Sequence, residues 1–291
     1  GAMMLQLEET FYAERPNLIL VYGDTNSTLA AGLAASKMHI PVVHVEAGLR
    51  SFNKKMPEEI NRILTDHVSD FLFCPTDHAV ENLKNENITK NVFNVGDIMI
   101  DVCSLISKKS KLRQQDQKPT PYALATIHRA ENTGSKLILE NIFNALSGLS
   151  RELEVVFPMH PRTLKAAEDF EIMPLLHGVQ LLPPQDYPSM IRLLHNAQVL
   201  ITDSGGMQKE SFFLRTQCVT LRTETEWVET VELGWNKIVD PKSEEIETKV
   251  NDSLSSSPNP TTAQPYGSGD TANLILTELM RNQVDFQEEL Q

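Results

Sequence analysis

Short apolar runs rich in Val, Ile and Leu alternate along this chain with longer segments whose apolar residues recur every three or four positions. Read as strands, the runs are "NLILVY" (17–22), "PVVHVE" (41–46), "FLFC" (71–74), "VFNVG" (92–96), "YALATI" (122–127), "EVVFP" (154–158), "VQLL" (179–182), "VLIT" (199–202), "VTLR" (219–222) and "KIVD" (237–240). Strands alternating with helices predict an α/β fold, and uninterrupted apolar strands predict parallel sheets covered on both faces. The pattern lapses at "SKKSKLRQQDQKPTP" (107–121), which reads as a domain linker, and again at "SLSSSPNPTTAQPYGSGD" (253–270), ahead of an amphipathic helix, "TANLILTELMRNQ" (271–283). The chain opens on a helix-like "AMMLQLEETFYAERP" where a doubly wound domain normally begins with a strand and a Gly-rich turn. The first half-domain is therefore expected to be incomplete.

Composition narrows the partners. With 41% hydrophobic and 22% charged residues among 291, the chain has a globular composition. Its formal charge of −13 would repel nucleic acid and anionic membranes over most of the surface. A local basic pocket for a phosphorylated small molecule is compatible with that charge. Cys74, Cys103 and Cys218 are odd in number and far apart, giving neither a disulfide framework nor a metal-binding pair. No apolar run approaches the ~20 residues that cross a bilayer, and no signal-peptide pattern is visible. The expected location is the cytoplasm.

The candidate chemistry lies where strands end. Asp24 follows the first run and Glu46 closes the second, with one helix-like segment between. Strands joined through one helix are almost always parallel, so both carboxylates belong to the same sheet edge, and adjacent strands would bring them ~4.8 Å apart in the ladder. Open α/β sheets bind ligands beyond that edge. Glu58 and Glu59 follow Pro57, a favoured first helical residue, in a segment whose expected buried stripe is Ile60, Ile63, Leu64 and Val68. Asp24 could also simply cap a helix, and the Glu58-Glu59 pair could complement a helix dipole. Glu46 resists such a reading, because a lone carboxylate in an apolar strand is costly to bury.

Later strands end in cations. His128-Arg129 follows "YALATI" and His160-Pro161-Arg162 follows "VVFPM", a pattern suited to an anion-binding cleft. In "LITDSGGMQKES" (200–211) a strand runs into Ser204-Gly205-Gly206 and a helix starts there, aiming free N–H groups and the helix dipole at an anion such as a diphosphate. Glu210 lies about one turn inside that helix, where it can accept from both hydroxyls of a ribose.

Together "GDTNSTLAAGLAASK", "HVEAGLRSFNKKMPEEINRILTDH", "HRAEN", "HPRT" and "TDSGGMQKE" resemble the non-hydrolysing UDP-N-acetylglucosamine 2-epimerases of bacteria and archaea, in order and over residues 5 to about 275. The resemblance implies a GT-B fold of two Rossmann-like domains with a nucleotide-sugar in the cleft between them. Its domains would be 1–107, 108–270, and a helix over 271–291 crossing back to the first. It implies interconversion of UDP-GlcNAc and UDP-ManNAc without NAD or metal, by eliminating UDP to a 1,2-glycal and adding it back with C2 protonated on the other face. Two-faced proton transfer needs several acid/base groups. By motif, Asp24, Glu46, Glu58 and His128 match the family's catalytic residues, and Ser204, Gly205, Gly206 and Glu210 its diphosphate and ribose ligands. Arg129 and His160 match positions that in some bacterial members contact a second, activating UDP-GlcNAc. Family members are usually dimers feeding surface-polysaccharide synthesis.

Two departures stand against the pattern. The family's N-terminal "GTRPE" loop is absent, from which a loss of activity would be expected. Where many members read "TERPE", this chain has "TETEWVETVELGWN" (223–236), with Trp227 and Val228 for Arg and Pro. That change occurs in a branch that includes epimerases of UDP-2,3-diacetamido-glucuronate. The rival readings are a GT-B glycosyltransferase, which would need an acceptor site, and a non-catalytic UDP-binding protein.

Overall fold

The computed structural model describes residues 1–109, 121–256, 258 and 263–282. Most of the linker expected at 107–121, part of the segment 253–270 and residues 283–291 lie outside the described residues. The chain divides into two units, one of Gly1–Val102 with the residues from Gln264 onward, the other of Cys103–Ala263. The divisions expected from the sequence are 107/108 and 270/271. Each of the ten apolar runs holds one strand, with ends shifted by no more than two residues.

The first unit runs α1 (Ala2–Glu14), β1 (Ile19–Tyr22), α2 (Asn26–Lys37), β2 (Val42–Val45), α3 (Pro57–Val68), β3 (Phe71–Cys74), α4 (Asp77–Asn85), β4 (Val92–Asn94) and α5 (Ile98–Lys109), the last crossing the division at Val102. Its parallel sheet has the order β1-β2-β3-β4, with Val21 opposite His44 and Tyr22 opposite Val45. The helix Thr271–Asn282 belongs to this unit: Ile275 is buried with Val43, Val45, Phe71, Phe73 and Val95, and the Asp101 carboxylate accepts from the Thr271 and Ala272 N–H groups at the helix start.

One sequence expectation is reversed here. In α3 the stripe Ile60, Ile63, Leu64, Val68 is not the buried one; Ile60 and Leu64 are 45% and 43% exposed, and the buried face carries Glu59, Asn61, Arg62, Thr65 and Asp66. The physical reason is that the charged members of that face are all partnered: Asp66 by His44 and Arg50, Arg62 by Asp24 and Glu59, and Glu59 by Arg62 and the Ser51 and Phe52 N–H groups. Paired and hydrogen-bonded charges can be buried where isolated ones cannot.

The second unit runs β5 (Tyr122–Thr126), α6 (Ala130–Thr133), α7 (Lys136–Leu149), β6 (Glu154–Pro158), α8 (Pro161–Asp169), β7 (Gln180–Leu182), α9 (Tyr187–Asn196), β8 (Val199–Thr202), α10 (Gly205–Leu214), β9 (Gln217–Leu221), α11 (Val228–Glu232), β10 (Asn236–Val239) and α12 (Ile246–Ser255). All its strand pairs are parallel, in the order β10-β9-β8-β5-β6-β7. Successive strand residues feed opposite faces: Ala123, Ala125, Val155, Phe157, Val199 and Ile201 enter one core, while Tyr122, Leu124, Val156 and Leu200 enter the other. Both faces are thus covered, which is why these strands are apolar throughout. Strand order reverses between β5 and β8, and the crevice beyond such a switch point is where doubly wound sheets hold ligands. Cys74, Cys103 and Cys218 are all free and buried.

Candidate active site

In the first unit, β1 and β2 are adjacent and parallel, so the turns that carry Asp24 and Glu46 leave the same sheet edge. The cap of α2 is Thr25, whose hydroxyl accepts from the Thr28 N–H, so Asp24 is not the capping residue. Asp24 is half-buried, and its Oδ2 lies 3.2 Å from Nη2 of Arg62. Three consecutive carbonyls fix this turn. That of Tyr22 accepts from the Thr28 hydroxyl, that of Gly23 from His44 Nε2 and that of Asp24 from Asn61 Nδ2.

Glu46 adopts a left-handed backbone, φ 74°, which is uncommon for a residue with a side chain. The N–H groups of Glu46 and Ala47 both donate to the Phe73 carbonyl, which anchors the conformation. The glutamate comes so close to Gly23 that a Cβ there would lie 3.3 Å from its Oε2. Gly23 itself has φ 63°, so this position needs glycine for two reasons.

The buried face of α3 supports both turns. Asp66 accepts from His44 Nδ1 at 2.6 Å, Arg50 Nη1 at 2.7 Å and the Gly48 N–H at 3.1 Å, and Arg50 is paired in turn with Glu86. Burial alone would push His44 down, but the hydrogen bond and charge of Asp66 prevail and hold it above its ordinary value. Glu59 is fully buried and accepts from the Ser51 and Phe52 N–H groups, with Arg62 Nε 3.4 Å away. Glu58 is exposed in the first turn of α3, and its carboxylate has no hydrogen-bond partner among the described residues. The neighbouring glutamates therefore differ in kind: Glu59 holds a loop, and Glu58 faces solvent.

In the second unit, His128, Arg129 and Ser204 follow the ends of β5 and β8, at the switch point. They are organised by Asp203, a fully buried carboxylate that accepts from the His128 and Arg129 N–H groups, Asn132 Nδ2 and, at 3.1 Å, His128 Nδ1. Burial works against its charge, yet these donors hold its carboxyl below the ordinary value. His160 caps α8, its Nδ1 accepting from the Arg162 N–H, and its ring lies 5.5 Å from that of His128. Desolvation, His128 and Arg162 push His160 down, in keeping with an acceptor Nδ1. A pocket of about 260 Å³ opens here, lined by Thr126, Ile127, His128, His160, Met190 and Met207 among others.

At the start of α10, a Cβ on Gly205 would fall 2.9 Å from Glu226 Oε1 and 3.4 Å from Trp227 Nε1, whereas one on Gly206 would meet nothing within 4 Å. A side chain would thus be blocked at Gly205 and accommodated at Gly206. Glu210 is buried, with the Tyr187 hydroxyl donating to its Oε1 at 2.7 Å. Buried Lys209 stands 3.8 Å from the centre of the Trp227 ring, and Arg222 pairs with Glu226. Sequence reasoning missed His44, Asp66, Arg62, Asp203 and Tyr187. The available signal was a histidine inside an apolar strand, "VVHVE".

Among the described residues no group of three or more His, Cys, Asp or Glu side chains is arranged to hold a metal ion, and no helix is long and apolar enough to cross a membrane.

The family profile described as UDP-N-acetylglucosamine 2-epimerase matches residues 1–280. A UDP-N-acetylglucosamine 2-epimerase homolog of Methanococcus maripaludis is 47% identical over 97% of this chain and 80% of its own length. The UDP-2,3-diacetamido-2,3-dideoxy-D-glucuronate 2-epimerase of Pseudomonas aeruginosa is 44% identical over 97% of this chain and 79% of its own. Among solved structures, Methanocaldococcus jannaschii UDP-GlcNAc 2-epimerase in complex with UDP-GlcNAc and UDP superposes with a TM-score of 0.87 at 37% identity, covering 96% of this chain and 80% of that one. The two Rossmann-like units are those of the GT-B class. The chain therefore belongs to the UDP-N-acetylglucosamine 2-epimerase family of enzymes.

Proposed function

We propose that the protein inverts C2 of a UDP-2-acetamido sugar, converting UDP-GlcNAc to UDP-ManNAc by loss and re-addition of UDP. The observation that carries this reading is the pair of carboxylate turns on adjacent parallel strands, with Glu46 held in a left-handed conformation against Gly23, next to Asp24. Abstraction of the C2 proton and departure of UDP from C1 give the 1,2-glycal. Return of UDP to C1 with a proton delivered to the opposite face of C2 completes the inversion. Asp24, Glu46 and Glu58 serve the proton steps, and His128, fixed by Asp203, assists the departing phosphate. The N–H groups at Ser204, Gly205 and Gly206 receive the diphosphate, and Glu210 accepts from the ribose.

A second reading of the sugar, UDP-2,3-diacetamido-glucuronate, is favoured by Trp227-Val228 and by 44% identity to the Pseudomonas enzyme of that name. Comparing kcat/KM for the two sugars decides between them. The same proposal takes the protein as a cytoplasmic homodimer serving polysaccharide synthesis, with Arg129 and His160 available to a second, activating UDP-GlcNAc. The test of the chemistry is incubation with UDP-GlcNAc in deuterated water without NAD. The expected product carries deuterium at C2, and product lacking it, or formed only with NAD, overturns the mechanism.

A further inference from the structure

His44 is fully buried in the middle of β2, yet both of its ring nitrogens are engaged. Nε2 lies 2.9 Å from the Gly23 carbonyl oxygen, which can only accept, so Nε2 carries a proton. Nδ1 lies 2.6 Å from Asp66 Oδ1, whose other oxygen already accepts from Arg50 and the Gly48 N–H, so Nδ1 donates as well. With both nitrogens donating, the ring is an imidazolium. The other charges around it are Asp66, Arg50 and Glu86 in the same network, and Glu46 at the end of the strand.

The two contacts lead to different turns. Gly23 precedes Asp24, and Gly48 closes the turn that begins at Glu46. We infer that the His44–Asp66 pair is a positioning unit that ties the Asp24 turn to the Glu46 turn and so fixes the spacing of the two carboxylates. An apolar residue would fill the strand position equally well, and a polar group here stabilises little that packing could not, so its distinctive effect is on geometry. A misplacement on the order of 1 Å at reacting groups costs about 10²-fold in rate. His44 itself acts through Asp24 and Glu46.

This inference rests on the proton-transfer role proposed for those two residues, and its test separates the two ideas. His44→Gln keeps a donor toward Gly23 and releases Asp66, His44→Asn does the reverse, and His44→Leu removes both bonds. The expected result is a kcat lowered ~10²-fold in the Leu variant, with KM within about 3-fold and each amide variant intermediate, at a temperature well below every melting point. Amide exchange at Gly23–Thr25 and Glu46–Gly48 is read on the same proteins and on the wild type. It should rise at both turns in the Leu variant even if the wild type fails to turn over UDP-GlcNAc, an outcome that would remove the proposed reaction and leave the positioning role standing. Unchanged exchange at either turn, or a nitrogen-15 spectrum showing a neutral His44 ring at pH 7, would overturn it. So would a folded Leu variant of an active enzyme with kcat within 3-fold of wild type. Should the Leu variant not fold, the same readouts on the Gln and Asn variants decide.

Discussion

The two units place opposite charges at the same structural address. Beyond the strand ends of the first stand carboxylates, Asp24 and Glu46, supported by buried cations in His44, Arg50 and Arg62. Beyond those of the second stand the guanidinium groups of Arg129 and Arg162 and the imidazoles of His128 and His160, with the buried carboxylate Asp203 accepting from His128 and from the Arg129 N–H. On each edge one outward group is held by a group of opposite sign, Asp24 by Arg62 and His128 by Asp203. A parallel sheet supplies the same edge whatever chemistry is set on it, so the difference lies in the buried counter-charge. Under the proposed function the first unit moves protons and the second holds the anion.

That division of labour can be broken most sharply by exchanging the readouts. Asp24→Asn and Glu46→Gln should each lower turnover ~10²–10⁴-fold while UDP affinity, measured by calorimetry, stays at the wild-type value. Glu210→Ala should weaken UDP by about 1–3 kcal/mol, the loss expected for a charged acceptor. Full UDP binding by the Glu210 variant would count against the anion-holding role of the second unit. A smaller effect separates the neighbouring glutamates of α3. Glu59→Ala leaves two loop N–H groups without their acceptor and takes from the buried Arg62 one of its two carboxylate partners, and should cost about 3 kcal/mol in denaturant melts. Glu58→Ala should stay within about 0.5 kcal/mol, because the residue is exposed.

The smallest effect is a difference in pH response. Asp203 is held below its ordinary value of 3.8, so its contribution is complete above that pH and is lost as pH falls through the depressed value. His44 is held above its ordinary value of 6.5, so its contribution is complete below that pH and is lost as pH rises through the raised value. Hydrogen exchange, corrected for its intrinsic pH dependence, should loosen residues 126–132 on acidification and the Gly23 and Glu46 turns on alkalinisation. The same direction of response in both units would show that the counter-charges do not differ as described.

How much of this could be read in the sequence depended on the range of the forces involved. The strands were legible because covering both faces of a sheet leaves an apolar run that no distant residue can disguise. The orientation of α3 was not, since hydrophobic periodicity assumes that charges face water. Whether Asp66 can be buried depends on Arg50, 16 positions earlier, and on His44, 22 positions earlier. Asp203 lay in plain sight within "TDSGG", but its donors are the N–H groups of residues about 75 positions away. Glu58 and Glu59 look alike in sequence, and only the loop at Ser51 and Phe52 distinguishes them.

With the role proposed for Glu46, its backbone sets heat tolerance against catalysis at a single residue. A side chain in the left-handed region costs about 1–2 kcal/mol that glycine avoids. A screen that rewarded melting temperature alone would therefore accept glycine there, and each protein it selected would have lost a carboxylate from the edge proposed to transfer protons. An engineer seeking a hardier form of this enzyme should leave residue 46 fixed and look for stability elsewhere.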